Sequence, residues 1–299
     1  MDLPNFQAAE VIVVAIEIAL LLAGVGVLFR WQFSERALDC KQIRVSPWPI
    51  PLSDLLLRAL CVVLGAIILP MIVLSVQKAR PAALSDDLWL VTQACAFQIG
   101  MLFGVGVGNA FSKARRAPLP ELDASTSAMG ELPPETAESA ITLTPWRINP
   151  LLAGLLTFLA AMPLVVATSL LWNPLLKWAG FPVDTQELIE LLANSESPAL
   201  IIGMGILAVV LAPLVEETIF RAGLFRYLRT RIPRSLALLL SAVLFSSLHA
   251  SLAAFGPLVV FGVVLAIAYE RTGRILVPIV AHGLFNLHTL ILLLSGVTP

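Results

Sequence analysis

Charge is what this sequence has least of. Asp, Glu, Lys and Arg make up 13% of its 299 residues, about half the share of an ordinary soluble domain, so a water-facing globular fold is excluded. Cysteine is nearly absent too. Of three, Cys61 and Cys95 lie in apolar runs and Cys40 in a basic loop, which is no disulfide framework. The formal net charge of −1 offers no basic surface to neutralise phosphates, so nucleic acid is not an expected partner. The first ten residues, MDLPNFQAAE, carry acids where a signal peptide needs a basic region, and no cleaved leader is expected. No internal repeat is visible, and the helical zinc-protease pattern H-E-x-x-H is missing.

What is present is apolar. Hydrophobic residues reach 58% and mean hydropathy is +0.90. Runs near residues 9–29, 55–77, 88–111, 148–172, 199–220, 235–253, 257–270 and 275–295 approach or exceed the ~20 residues that cross a bilayer core, the seventh being the shortest. Lipid offers backbone groups no partner and no alternating barrel pattern is seen, so the runs are expected to be helices. The fold class is all-α, a polytopic bundle of about eight spans.

Basic residues set the orientation. Arg30, Arg36, Lys41 and Arg44 lie in the first connection, Lys113, Arg115, Arg116 and Arg147 in the third, and Arg226, Arg229, Arg231 and Arg234 in the fifth. Arg271 and Arg274 lie in the seventh, and the alternate connections hold only Lys78, Arg80 and Lys177. Both termini should therefore face away from the cytosol. The six tryptophans, Trp31, Trp48, Trp89, Trp146, Trp172 and Trp178, fall at or just beyond expected span ends, where an amphipathic ring prefers the interface. Three units follow: residues 1–116 with three spans and no motif, a Pro/Ser/Thr/Glu-rich cytosolic linker over 117–147, and a five-span core over 148–299. A capping-box-like start at Asp184 and Glu187, followed by leucines 188, 191 and 192, predicts a short helix on the outer surface.

The remaining polar residues are out of place. A charged group at the bilayer centre costs ~2.5–3.5 kcal/mol even on lenient scales, and such residues usually mark function. Glu216, Glu217 and Arg221 sit in the fifth span, His249 in the sixth, and His282, Asn286 and His288 in the eighth; these are all the histidines in the chain. Adjacent helical residues point ~100° apart, so Glu216 and Glu217 should not face one site together. Glu217 and Arg221 stand four apart in the favoured order for a same-face pair, which leaves Glu216 to point elsewhere. His282 and Asn286, also four apart, can address one point. His288 reads as structural or interfacial, and Glu10, Glu17 and Arg58 as close enough to span ends to snorkel.

A carboxylate in low dielectric makes a general base near neutrality, and imidazole and amide donors can hold an oxyanion. The set therefore suffices for water attack on a peptide carbonyl. It also fits a zinc shell of Glu216, His249 and His282 with an open position, and spacing does not separate the two. A Glu/His proton relay of a transporter is a third use of such residues, but inverted repeats and paired broken helices are missing.

Three motifs in order, E-E-x-x-x-R at Glu216 to Arg221, F-x-x-x-H at Phe245 to His249, and H-x-x-x-N at His282 to Asn286, resemble those of the CPBP intramembrane proteases. That group includes CAAX prenyl endopeptidases and bacteriocin-processing or self-immunity proteins. The resemblance covers residues 148–295. It implies a helical bundle with a membrane-embedded cavity open to the cytosol, in which Glu216 activates water, His249 assists, and His282 and Asn286 hold the oxyanion. Glu217 and Arg221, with Phe245 beside them, would organise the site or meet substrate. The implied function is an endopeptidase acting on membrane-associated or lipidated, CAAX-like substrates in a bacterial inner membrane. The alternative is a non-proteolytic peptide-binding or self-immunity protein.

Depth tests this picture. Glu216 and His282 lie ~12–15 Å along their helices from Arg226 and Arg274, whereas His249 lies ~22 Å from Arg234. A common site needs helix tilt, or a sixth helix that starts well below the interface.

Overall fold

The computed structural model describes residues 8–33, 44–46, 48–115, 148–181, 183, 191–192 and 195–295, with the side chains of 8–10 and 31–33 left aside. The linker expected over 117–147 and most of the surface helix expected from Asp184 lie outside these residues. Among the described residues every regular element is helical. We number the helices α1 (Ala8–Phe33), α2 (Leu52–Ala79), α3 (Asp86–Arg115), α4 (Pro150–Trp178), α5 (Pro198–Leu228), α6 (Arg234–Ser247), α7 (Leu252–Thr272) and α8 (Leu276–Leu294).

Seven of the eight are long and apolar enough to cross a bilayer, α6 being the exception. The sixth and seventh expected spans thus exchange character. The run expected to cross over 235–253 stops as a helix at Ser247 after 14 residues, about 21 Å at 1.5 Å per residue. The one expected to be short starts earlier, at Leu252, and runs 21 residues. The reason is local. Ser251 accepts a hydrogen bond from the Ala254 N–H as an N-cap, and Ala250 takes a left-handed φ of 50°, so a turn forms inside what hydropathy reads as continuous apolar sequence. Trp172 donates to the Leu252 carbonyl at 2.8 Å and Ser246 to that of Phe255 at 2.8 Å, supplying partners to carbonyls at this turn.

The other ends follow the usual chemistry. Asn149 and Ser197 cap α4 and α5, each followed by proline at the first helical position. Left-handed Gly273 (φ 65°) closes α7 and returns its N–H to Tyr269.

Burial separates centre from rim. In α1 and α2, 6% of the apolar window is inside the molecule, against 44% in α4 and in α7. The exposed leucines, isoleucines and valines of α1 and α2 therefore face lipid. The core gathers Phe158, Met162, Phe220, Phe245, Phe261 and Leu265 from α4, α5, α6 and α7, closed by Ala281 of α8.

The helices α2 and α3 form a hairpin in backbone contact. A Cβ built on Gly65 would stand 2.0 Å from the Gly100 carbonyl oxygen, and one on Gly104 2.2 Å from that of Cys61. Small residues let membrane helices close together where lipid provides no hydrophobic drive. A Cβ on Gly106 of the same helix would meet nothing within 4 Å. Gly100→Leu is therefore expected to cost about 1–3 kcal/mol, as overpacking does, and to lower the thermal midpoint in detergent by several degrees. Gly106→Ala should leave it unchanged; equal effects of the two would refute the close-packed hairpin.

Candidate active site

Helix α5 carries the acids and is not a regular α-helix. Leu207–Leu211 and Thr218–Phe225 are π-helical, on either side of a six-residue α segment that ends with Glu216 and Glu217. Pro213 supplies the cause of the first widening. It has no N–H for the Val209 carbonyl, and its ring crowds the turn before it. Helix α8 lies against this turn: a Cβ on Gly283 would come 2.6 Å from the Val209 oxygen. Three residues on, the Asn286 amide donates to the Ala208 carbonyl at 2.7 Å. Single-turn π insertions are frequent at functional sites, and here one sets the approach of α8.

From α5 a line of charge crosses the interior. Arg221 Nη1 donates to Glu217 Oε1 at 2.9 Å, and His282 Nδ1 meets the same oxygen at 2.9 Å. All three side chains are 3% exposed or less. Since Glu217 faces a guanidinium it acts as a carboxylate, so Nδ1 of His282 carries the proton and donates. The other ring nitrogen, Nε2, lies 3.9 Å from Glu216 Oε2, beyond a direct hydrogen bond. Glu216 Oε2 is buried without a partner among the described residues, although the side chain as a whole keeps 20% of its surface.

The two acids therefore do face one group, which corrects the sequence expectation. They flank opposite nitrogens of one imidazole, because that ring reaches between them from α8. The convergence expected for His282 and Asn286 is not seen, since Asn286 is directed at Ala208.

Phe245 is the hub of the surrounding aromatics. Its ring centre lies 4.3 Å from the Arg221 guanidinium carbon, 4.9 Å from His249 and 5.5 Å from His282. His249 Nδ1 faces the Phe245 carbonyl at 3.1 Å, an acceptor, so Nδ1 holds the proton and Nε2 keeps a lone pair. Phe261, not singled out from the sequence, covers His282 edge-on at 5.7 Å; an aromatic inside an apolar run gives no signal. Helix α6 begins at Arg234 and ends at Ser247, so His249 lies in the turn past its end and not along a continuous helix.

Glu17 was expected to snorkel. Instead it sits well inside α1 and bonds His288 of α8, Oε1 to Nε2 at 2.6 Å, with Phe158 beside the imidazole at 6.0 Å. Nothing periodic links positions so far apart in the chain. As for zinc on Glu216, His249 and His282, no group of three His, Cys, Asp or Glu among the described residues is placed to hold a metal ion, so no step is routed through one.

Removing one charge from the buried line leaves the rest uncompensated. Arg221→Met is expected to destabilise by about 3–5 kcal/mol, and Glu217→Gln combined with it should recover a good part of that loss. A double-mutant cycle on thermal or denaturant unfolding measures the coupling; additive losses would contradict it.

Comparison with known proteins points the same way. Residues 198–288, which hold all three motifs, match the family model described as Type II CAAX prenyl endopeptidase Rce1-like. The protein named "Putative membrane peptidase YdiL" of Bacillus subtilis (strain 168) is 36% identical over 94 residues, which are 31% of this chain and 38% of that one. The chain thus spans little more than a third of that curated relative. No solved structure matches. The similarity to the Rce1-like family thus rests on residues 198–288, about a third of the chain.

Proposed function

We propose that the protein is an intramembrane endopeptidase in which Glu216 is the general base. The observation that carries this reading is the place of Glu216 Oε2, which has no hydrogen-bond partner among the described residues, lies 3.9 Å from His282 Nε2, and belongs to a side chain that keeps 20% of its surface. One water can bridge such a gap with contacts of ~2.8 Å to each side. Glu217 is less suited to this role: its Oε2 also has no hydrogen-bond partner among the described residues, but its Oε1 holds both Arg221 and His282 and its side chain is fully buried.

In the proposed reaction Glu216 takes a proton from the water as its oxygen bonds to the peptide carbonyl carbon. The carbonyl π electrons move to oxygen. His282, held by Glu217 through Nδ1, receives at Nε2 the proton that Glu216 took from water and donates it in a hydrogen bond to that oxyanion. When the C–N bond breaks, the oxyanion electrons re-form the carbonyl and that proton passes, by way of the His249 Nε2 lone pair, to the leaving nitrogen. The products are an amine and a carboxylic acid, which then loses its own proton. Asn286 can join the oxyanion donors only by leaving Ala208; otherwise its work is to hold α8 against α5.

The family match supports peptide or protein substrates held in or at the membrane, and we extend this to lipidated, CAAX-like chains. The distribution of basic residues supports a site reached from the cytosolic side and both termini outside the cytosol, an orientation in which α6 and the turn after it together make the eighth passage; the membrane we propose is a bacterial inner membrane.

Glu216→Gln keeps size and polarity but removes the base. Turnover should fall by about 10²–10⁴-fold while the unfolding midpoint stays within a degree or two. The test compares new peptide termini in membranes holding wild type or Glu216→Gln at equal abundance. Identical sets of termini from two folded proteins would transfer the assignment to the peptide-binding or immunity reading.

A further inference from the structure

The basic end of the bundle holds two neighbouring cavities that the catalytic line does not use. One, about 440 Å³, is lined by Ser46, Arg226, Arg229, Thr230 and Glu270. The other, about 520 Å³, lies between α2, α3 and α5, with walls from Leu55, Val62, Val105, Ile219 and Leu224. Arg226 is in the wall of both. Each volume falls within the range of ordinary small-molecule sites.

Charge gives the first cavity a sign. Glu270 is fully buried and is shared by Arg229, Nε to Oε1 at 2.7 Å, and Arg234, Nη2 to Oε2 at 2.7 Å. One carboxylate thus faces two guanidinium groups. Arg226 adds a third and has no carboxylate partner among the described residues; its Nε and Nη2 donate to the carbonyl and hydroxyl of Ser46 at 2.9 and 2.7 Å. The wall of the chamber, with Arg226 and Arg229 against Glu270, is cationic by one charge, and Arg234 on the far oxygen of Glu270 adds a second nearby. In the second cavity apolar side chains from three helices make most of the wall. Trp48, in the wall of the second cavity, has the Arg58 guanidinium carbon 4.6 Å and that of the shared Arg226 5.8 Å from its ring centre. An indole at that level marks the membrane–water boundary.

A cationic chamber beside an apolar one, at a seam between helices and at the level of the head groups, selects an amphiphile with a negative head. Basic pockets between membrane helices at such a level bind anionic lipid head groups. We propose that the two chambers form a site for an anionic phospholipid, its phosphodiester against Arg226 and Arg229 and one acyl chain between α2, α3 and α5. The lipid would wedge the N-terminal hairpin against the family domain, giving these spans a task independent of the proteolytic reading.

The test uses the full chain in phosphatidylcholine nanodiscs, with native mass spectrometry of lipid retained after titration with phosphatidylglycerol of matched chains. Wild type should keep one phosphatidylglycerol at least ~10-fold more tightly than phosphatidylcholine. Arg226→Gln should lose that preference, and Arg226→Lys should retain a part of it. Val105→Phe, which fills the apolar chamber and leaves every charge in place, should weaken retention by a similar factor. Equal retention of the two lipids by wild type, or no change in Arg226→Gln, would overturn the proposal. So would full displacement by millimolar inorganic phosphate together with unchanged retention in Val105→Phe, which would reduce the site to an anion contact without a chain.

Discussion

A single carboxylate oxygen, Glu217 Oε1, receives both Arg221 Nη1 and His282 Nδ1, and the rest of the structure is arranged around that contact. An isolated ion in an apolar interior costs far more than a bundle of this size can bear. The arginine is therefore tolerable only with the acid, and the acid only with its donors. Helix α8 cannot shift away from α5 without exposing this debt. A charge contact that adds little net stability thus fixes which face of α8 meets which turn of α5.

The same contact accounts for the company it keeps. Arg221 has further N–H groups to satisfy, and Nη2 reaches the Gly262 carbonyl of α7 at 3.3 Å. Its flat guanidinium lies over Phe245, whose ring in turn bounds both His249 and His282. Four helices meet at these few side chains. Glu217 is fully buried between Arg221 and His282, whereas its neighbour in sequence, Glu216, keeps 20% of its surface. Two adjacent acids thereby acquire different surroundings.

Much of this was legible in the residues. Apolar run length gave the all-helical spans, and the motifs E-E-x-x-x-R, F-x-x-x-H and H-x-x-x-N picked out Glu216, Glu217 and Phe245, which lie around His282, together with Asn286, which does not join them. Hydropathy did not place the break after Ser247, because the turn at 248–251 (Leu, His, Ala, Ser) is short enough to be averaged with the apolar helices beside it and is made by a serine cap and a left-handed alanine. The ~100° rule misjudged Glu216 and Glu217 because it describes one helix, whereas the imidazole between them comes from another. The direction of Asn286 depended on Pro213, whose missing N–H acts four residues upstream and on a neighbouring helix. The bond from Glu17 to His288 joins the first helix to the last, and such a contact has no period to read.

The backbone-to-backbone packing of α2 and α3 has a mechanical consequence. Two helices that touch through their glycines cannot slide or roll on each other, so they respond to force as one lever. Among the described residues it is chiefly α3 that packs along α5. Lateral pressure from the bilayer on the lipid-facing side of α2 would therefore reach the helix that carries Glu216 by way of α3.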